Sequence, residues 1–118
     1  MLEKFGIGID VVDVERFSSK QFSKNEDFYG KIFSNNEIQY CLKFKDPYPH
    51  FAGKFALKEA VIKAINKKID FLDIETYHAN DIPCVKLKNL SEYSSISSIS
   101  HESNVAVAVF LIEFSSKK

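Results

Sequence analysis

The sequence has no tryptophan, one methionine, two cysteines, three prolines and four glycines. It lacks a long apolar run: the longest is the eight residues Val105 to Ile112. A membrane span needs about 20, so none is expected. Met1-Leu2-Glu3-Lys4-Phe5 lacks the basic-then-apolar layout of a secretory signal. There is no excess of either charge, since Lys+Arg and Asp+Glu both number 16. That argues against a general nucleic-acid binder, which needs a basic surplus to displace counterions from phosphates. Cys41 and Cys84 have no close spacing and no metal-ligand pattern. They read as reduced core thiols of a cytoplasmic protein. Arginine occurs once, Arg16, against 15 lysines. A lone guanidinium in such a chain hints that its fork geometry is used.

The 118 residues suit a single small domain, and the 45% apolar content rules out disorder. Eleven phenylalanines point to a core of Phe, Ile, Leu and Val. FGIGIDVVDV, residues 5–14, is a β-branched run that predicts a buried strand. Residues 16–24 predict a short helix. Ser34 with Glu37 forms a capping-box pattern opening a helix to about Phe44. Asp46-Pro47-Tyr48-Pro49 reads as a breaker. FAGKFALKEAVIKAINK, residues 51–67, is the strongest helical segment, rich in Ala, Leu, Lys and Glu. Residues 72–77, 83–87, 96–99 and 104–114 predict strands, with a turn at 80–83. A strand, then helices, then a run of strands predicts an α+β fold with a largely antiparallel sheet packed on a long helix. The tail from Ser115 is polar and expected to fray.

Three features carry chemistry. Asp10 interrupts an apolar strand, where an unpaired charge is costly, so a cation, a metal or exposure must compensate it. Glu59 and Lys63 are four apart and share one helix face. Ala56, Ala60 and Ala64 thin that helix enough for another backbone or a ligand to approach. Asp10 with Glu59 would supply two hard oxygens, the usual way of holding Mg²⁺ beside waters and phosphates. Ser100-His101-Glu102 is no hydrolase triad, because neighbours on a strand point to opposite faces. His50 and His78 carry no pattern.

Taken in order, GIGIDVVDVERF (6–17), FAGKFALKEAVIKAI (51–65) and SISHESNVAVAVFLIE (98–113) resemble the holo-acyl-carrier-protein synthases, the short bacterial branch of the 4′-phosphopantetheinyl transferases. The matched motifs are Gly8-Ile9-Asp10 with Arg16, Lys58-Glu59-Ala60 with Lys63-Ala64, and Ser100-His101 before Ala106-Val107-Ala108. The resemblance implies transfer of 4′-phosphopantetheine from coenzyme A to a serine of apo acyl carrier protein. Adenosine 3′,5′-bisphosphate leaves, Mg²⁺ is required, and the pathway is fatty acid biosynthesis. It also implies a homotrimer with active sites between subunits. By position, Asp10 and Glu59 match the metal-binding acids, and Glu59 and Lys63 the catalytic pair. Lys54, Lys58, Lys63 and His101 match coenzyme A contacts. Arg16, with Lys20 and Lys24 four and eight residues on, matches the surface that docks the acidic carrier protein.

The chain departs from the family pattern in places. Lys54 stands where an arginine is frequent, which keeps the charge but not the fork. Asp81-Ile82-Pro83 stands where G-x-P is frequent, and Lys20 and Lys24 replace arginines. Phosphoryl-type transfer is mostly positioning and charge neutralisation, so two acids and a lysine suffice in kind. The serine proton can pass to Glu59 or to a water held by the metal. Two other readings use the same residues: a Mg²⁺-dependent pyrophosphate hydrolase, and a non-catalytic trimeric nucleotide-binding scaffold.

Overall fold

The computed structural model describes residues 4–115. The readings made of Met1 to Glu3 and of the tail beyond Ser115 lie outside them. In order, the elements are strand β1 (Phe5–Asp13), helices α1 (Glu15–Ser18), α2 (Glu26–Gly30), α3 (Asn35–Leu42) and α4 (Tyr48–Ile65), then strands β2 (Ile74–Ala79), β3 (Ile82–Leu87), β4 (Tyr93–His101) and β5 (Val105–Phe114). The α+β reading holds, with every strand pair antiparallel. The strands divide into two sheets, β1-β5-β4 and the hairpin β2-β3.

Helix α4 is the spine. It is covered nearly all round, with every residue from Phe51 to Lys58 buried. Its start lies three residues before the expected one. Pro49 sits in the first turn, where a missing N–H costs nothing, so it opens the helix instead of breaking it. Its end is set by Asn66, which takes the left-handed conformation at φ 62°. The α3 start is as expected: Ser34 Oγ accepts from the Glu37 N–H, and Glu37 Oε1 accepts from the Ser34 N–H.

The thinning of α4 at Ala60 and Ala64 admits a backbone. A Cβ added at Gly8 would land on the carbonyl oxygen of Ala60, and one at Gly6 on that of Ala64. Strand β1 therefore crosses α4 at backbone contact, with its even-numbered residues toward the helix. Aromatic rings fill the other side of α4. Phe17 touches Phe28, Tyr29, Phe33, Phe51 and Phe55 at centroid distances of 5.5–6.4 Å.

Three expectations need correction here. No helix spans residues 16–24: α1 ends at Ser18, Gln21 is extended at ψ 132°, and a single 3-10 turn covers Phe22–Lys24. The buried Tyr29 hydroxyl lies 2.8 Å from the carbonyls of both Phe17 and Lys20. Tertiary packing thus replaces the helical ladder, and Arg16, Lys20 and Lys24 do not line one helix face. Strand β4 is also longer than Ile96–Ile99. Its serines are weak strand formers, but pairing with β5 carries the strand from Tyr93 to His101. The turn in β2-β3 is tighter than expected. Asn80 and Asp81 alone make it, at φ 53° and 66°, and Ile82 and Pro83 already belong to β3.

Both cysteines are free. Cys41 is in the core, and burial pushes its thiol up to about 12. Cys84 is only half-buried on β3. No helix among the described residues is long and apolar enough to cross a membrane.

Candidate active site

The β1–α4 crossing carries the first part of the site. Asp10 follows Gly6 and Gly8 on the helix-facing side of β1, opposite Ala108 of β5. Lys63 Nζ lies 3.0 Å from Asp10 Oδ1 and donates to the Ile9 carbonyl at 3.0 Å. The Asp10 side chain is 18% exposed and that of Lys63 55%. The charge inside the strand is thus compensated by a cation, as its surroundings demand. Glu59, one turn before Lys63 on α4, is half-buried, and its side chain has no hydrogen bond or ion pair among the described residues.

No group of three or more His, Cys, Asp or Glu among the described residues is placed to hold a metal. The carboxylates on the two elements of this crossing are Asp10 on β1 and Glu59 on α4. That fits Mg²⁺, which keeps several waters and takes one or two carboxylates plus substrate phosphates. It does not fit an ion needing an all-protein cage.

The second part lies on the other side of α4. Lys54 is 2% exposed, and its ammonium donates to the carbonyl (3.3 Å) and hydroxyl (3.1 Å) of Thr76. It lies 4.7 Å from the Tyr40 ring centre. These groups border a cavity of about 600 Å³, together with His78, Asn80 and Asp81. Burial pulls the Lys54 ammonium below the usual lysine range. His101, exposed at the end of β4, is 4.8 Å from the His50 ring, which itself stacks on Phe44.

Lys58 is not available as a coenzyme A contact. It is 0% exposed, and its ammonium donates to Glu37 Oε1 (2.8 Å), the Ile32 carbonyl (2.8 Å) and the Phe71 carbonyl (2.9 Å). All three donors are used. A buried lysine needs this compensation, and Glu37 supplies it.

Lys54 and Lys63 are not brought together. Nine residues on a helix amount to two and a half turns, so the two face opposite sides of α4, roughly 13 Å apart along its axis. Arg16 sits at the head of α1 with its guanidinium 4.8 Å from the Phe55 ring centre. Lys20 lies over Phe28 at 5.4 Å.

Sequence reasoning missed Tyr40, His50, Thr76 and His78. The His78 ring stacks on Tyr40 at 4.7 Å, and its Nδ1 is buried without a hydrogen-bond partner among the described residues. Burial holds both His50 and His78 below the usual histidine range. No single spacing links these residues, because they come from three separate elements, α3, α4 and β2.

The sheet leaves a large apolar face open. Its outward rows read Ile7-Leu111-Ile96, Ile9-Val109-Ser98 and Val11-Val107-Ser100 across β1, β5 and β4. Ile7 is 67%, Ile9 56%, Val11 62% and Ile96 68% exposed.

The chain is similar to holo-[acyl-carrier-protein] synthases. That of Thermodesulfovibrio yellowstonii is 41% identical over 110 residues, covering 91% of this chain and 96% of that protein. That of Chlamydia felis is 38% identical over 112 residues, covering 87% and 92%. Among solved structures, the Bacillus anthracis synthase in complex with CoA (3′,5′-ADP) matches with a TM-score of 0.79 and 31% identity, over 93% of this chain and 96% of that one. The Helicobacter pylori synthase in complex with coenzyme A matches at 0.77 and 33%, over 91% and 99%. The family model for the 4′-phosphopantetheinyl transferase superfamily spans residues 6–110. That span runs from the Gly6–Ala64 contact through Lys54 and Lys63 to Phe110 on β5. The chain belongs to the 4′-phosphopantetheinyl transferase superfamily.

Proposed function

We propose that this protein is a holo-[acyl-carrier-protein] synthase. It transfers 4′-phosphopantetheine from coenzyme A to a serine of apo acyl carrier protein and releases adenosine 3′,5′-bisphosphate, within fatty acid biosynthesis in the cytoplasm. The observation that carries the reading is the seam where Lys63 meets Asp10, with Glu59 one turn away. In the reaction, the serine oxygen bonds to the β-phosphorus, and the phosphoanhydride bond to the nucleotide breaks. Lys63 neutralises a pyrophosphate oxygen as charge moves onto the leaving phosphate. Glu59, whose side chain has no hydrogen-bond or ion-pair partner among the described residues, is suited to accept the serine proton. Asp10 and Glu59 would hold Mg²⁺. Bound there, the ion would spread the negative charge of the phosphates.

The same reading makes the protein a homotrimer with sites between subunits. Two features support it. The apolar rows on the outer sheet face form the contiguous kind of patch that soluble monomers seldom leave open. Lys54 and Lys63 also face opposite sides of α4, so a nucleotide at Lys54 of one subunit and a pyrophosphate at Lys63 of its neighbour would use both. Arg16, Lys20 and Lys24 would meet the carrier protein.

The deciding assay incubates the protein with coenzyme A, Mg²⁺ and apo acyl carrier protein and weighs the carrier. A gain of one phosphopantetheine is expected. Nucleotide release without carrier modification would mean a hydrolase, and no change at all a scaffold.

A further inference from the structure

We infer that Thr76, held in place by Glu37, is a positioning residue that fixes the Lys54 ammonium at the floor of its cavity for a phosphate of the nucleotide. This rests on the coenzyme A reading above. The hydrogen-bond directions follow from the groups themselves. An ammonium only donates and a carboxylate only accepts. Thr76 Oγ1 lies 3.1 Å from Lys54 Nζ and 2.6 Å from Glu37 Oε2, so it must accept from the first and donate its single proton to the second. Without Glu37 the hydroxyl could turn and offer its proton elsewhere. Glu37 cannot drift, because the Thr76 N–H donates to Oε2 at 2.7 Å while Lys58 and the Ser34 N–H both hold Oε1 at 2.8 Å.

The chain of contacts therefore runs Lys58, Glu37, Thr76, Lys54, and only its last member borders the cavity as a cation. Thr76 occupies two of the three Lys54 donors. The third has no hydrogen-bond partner among the described residues. Lys43 adds a second cation at the same opening, 5.1 Å from the Tyr40 ring centre. Two acids border the cavity: Glu75, engaged by Ser34 Oγ at 2.8 Å, and Asp81 at the hairpin turn. An ammonium is a point charge on a flexible stem, whereas a guanidinium arrives with its fork already planar. A lysine at this position needs the outside support that Thr76 supplies.

The test is a double-mutant cycle of Thr76→Val and Lys54→Met. It is read by the KM for coenzyme A and by calorimetric Kd for adenosine 3′,5′-bisphosphate. Each single change should raise both constants about tenfold, and the double variant should be no worse than Lys54→Met alone, as expected for residues acting as one unit. Thr76→Ser should restore both constants, and the KM for carrier protein should not move. A purely structural Thr76 would lower the folded fraction but leave KM and Kd of the folded enzyme unchanged. That result, or additive effects, would overturn the inference. If Thr76→Val does not fold, Thr76→Cys takes its place. If the wild type binds the nucleotide but does not modify the carrier, the transferase reading fails and the Kd cycle still decides the role of Thr76. If the wild type does not bind the nucleotide, the positioning role falls.

Discussion

Lys63 on α4 and Asp10 on β1 meet at 3.0 Å, with the carboxylate largely covered and the ammonium half in water. The meeting depends on Gly6 and Gly8, which let β1 lie against the Ala60–Ala64 backbone. A side chain at either glycine would push the strand off the helix and part the pair.

Lys63→Ala should lower kcat by about a hundredfold, because it removes charge stabilisation that grows toward the transition state. Lys67, beyond the helix end and exposed, serves as the control. Lys67→Ala should change steady-state rates little. Equal losses from both would replace a specific contact with a general electrostatic patch.

Asp10→Asn and Glu59→Gln should each abolish most activity while leaving the circular dichroism spectrum unchanged. Removing divalent ions with a chelator should silence the wild type, and Mg²⁺ should restore it. Full activity of either variant at low Mg²⁺ would show that the two carboxylates do not share an ion.

Lys58 should behave differently from its neighbours in the motif. Its pair with Glu37 is fully buried, so Lys58→Ala leaves an uncompensated carboxylate in the core. The expected loss is about 3–5 kcal/mol of stability, read by denaturant unfolding. The KM for coenzyme A of the enzyme that remains folded should rise less than in Thr76→Val, because the Ser34 and Thr76 N–H groups still hold Glu37. A Lys58→Ala protein of undiminished stability, with a KM raised as far as by Lys54→Met, would return Lys58 to the ligand.

What the sequence revealed and what it hid divide along the range of the interactions. The Ser34–Glu37 cap and the strand around Asp10 were legible because each rests on residues within a few positions of one another. Glu37 was legible as a cap but not as the partner of Lys58, 21 residues away, or of Thr76, 39 away. Lys58 read as a coenzyme A contact, since nothing local marks a lysine that is enclosed on every side. The four-residue spacing of Arg16, Lys20 and Lys24 suggested a helix that Tyr29, a distant residue, replaces with a turn. The cavity residues Tyr40, Thr76 and His78 converge only through α3 and the β2-β3 hairpin packing on α4.

The outer sheet face gives a prediction that needs no substrate. Ile9 is 56% exposed in the middle of the apolar rows, so Ile9→Asp costs the single chain little. In a trimer it would bury three carboxylates, an arrangement that cannot be compensated. Sedimentation should show the wild type as a trimer and Ile9→Asp as a folded monomer, with activity lost if the sites lie between subunits. A variant that remains trimeric would place the interface elsewhere.

A chain of zero net charge attracts an acidic partner only where its cations are gathered. The break after Ser18 means that Arg16 and the two lysines cannot act as one helical stripe. Arg16 instead lies just past the end of β1, six residues after Asp10, with its guanidinium over the Phe55 ring. That fixed platform suits a two-bond grip on a carboxylate. Lys20, over Phe28, and Lys24, in its own short turn, offer point charges on separate segments. Arg16→Ala should therefore raise the KM for carrier protein far more than that for coenzyme A. Lys20→Ala and Lys24→Ala should act mildly, chiefly on association rate, and their effects should fade as salt shortens the screening length. If Arg16→Ala weakens coenzyme A binding and spares the carrier KM, the guanidinium belongs to the nucleotide and the docking surface lies elsewhere.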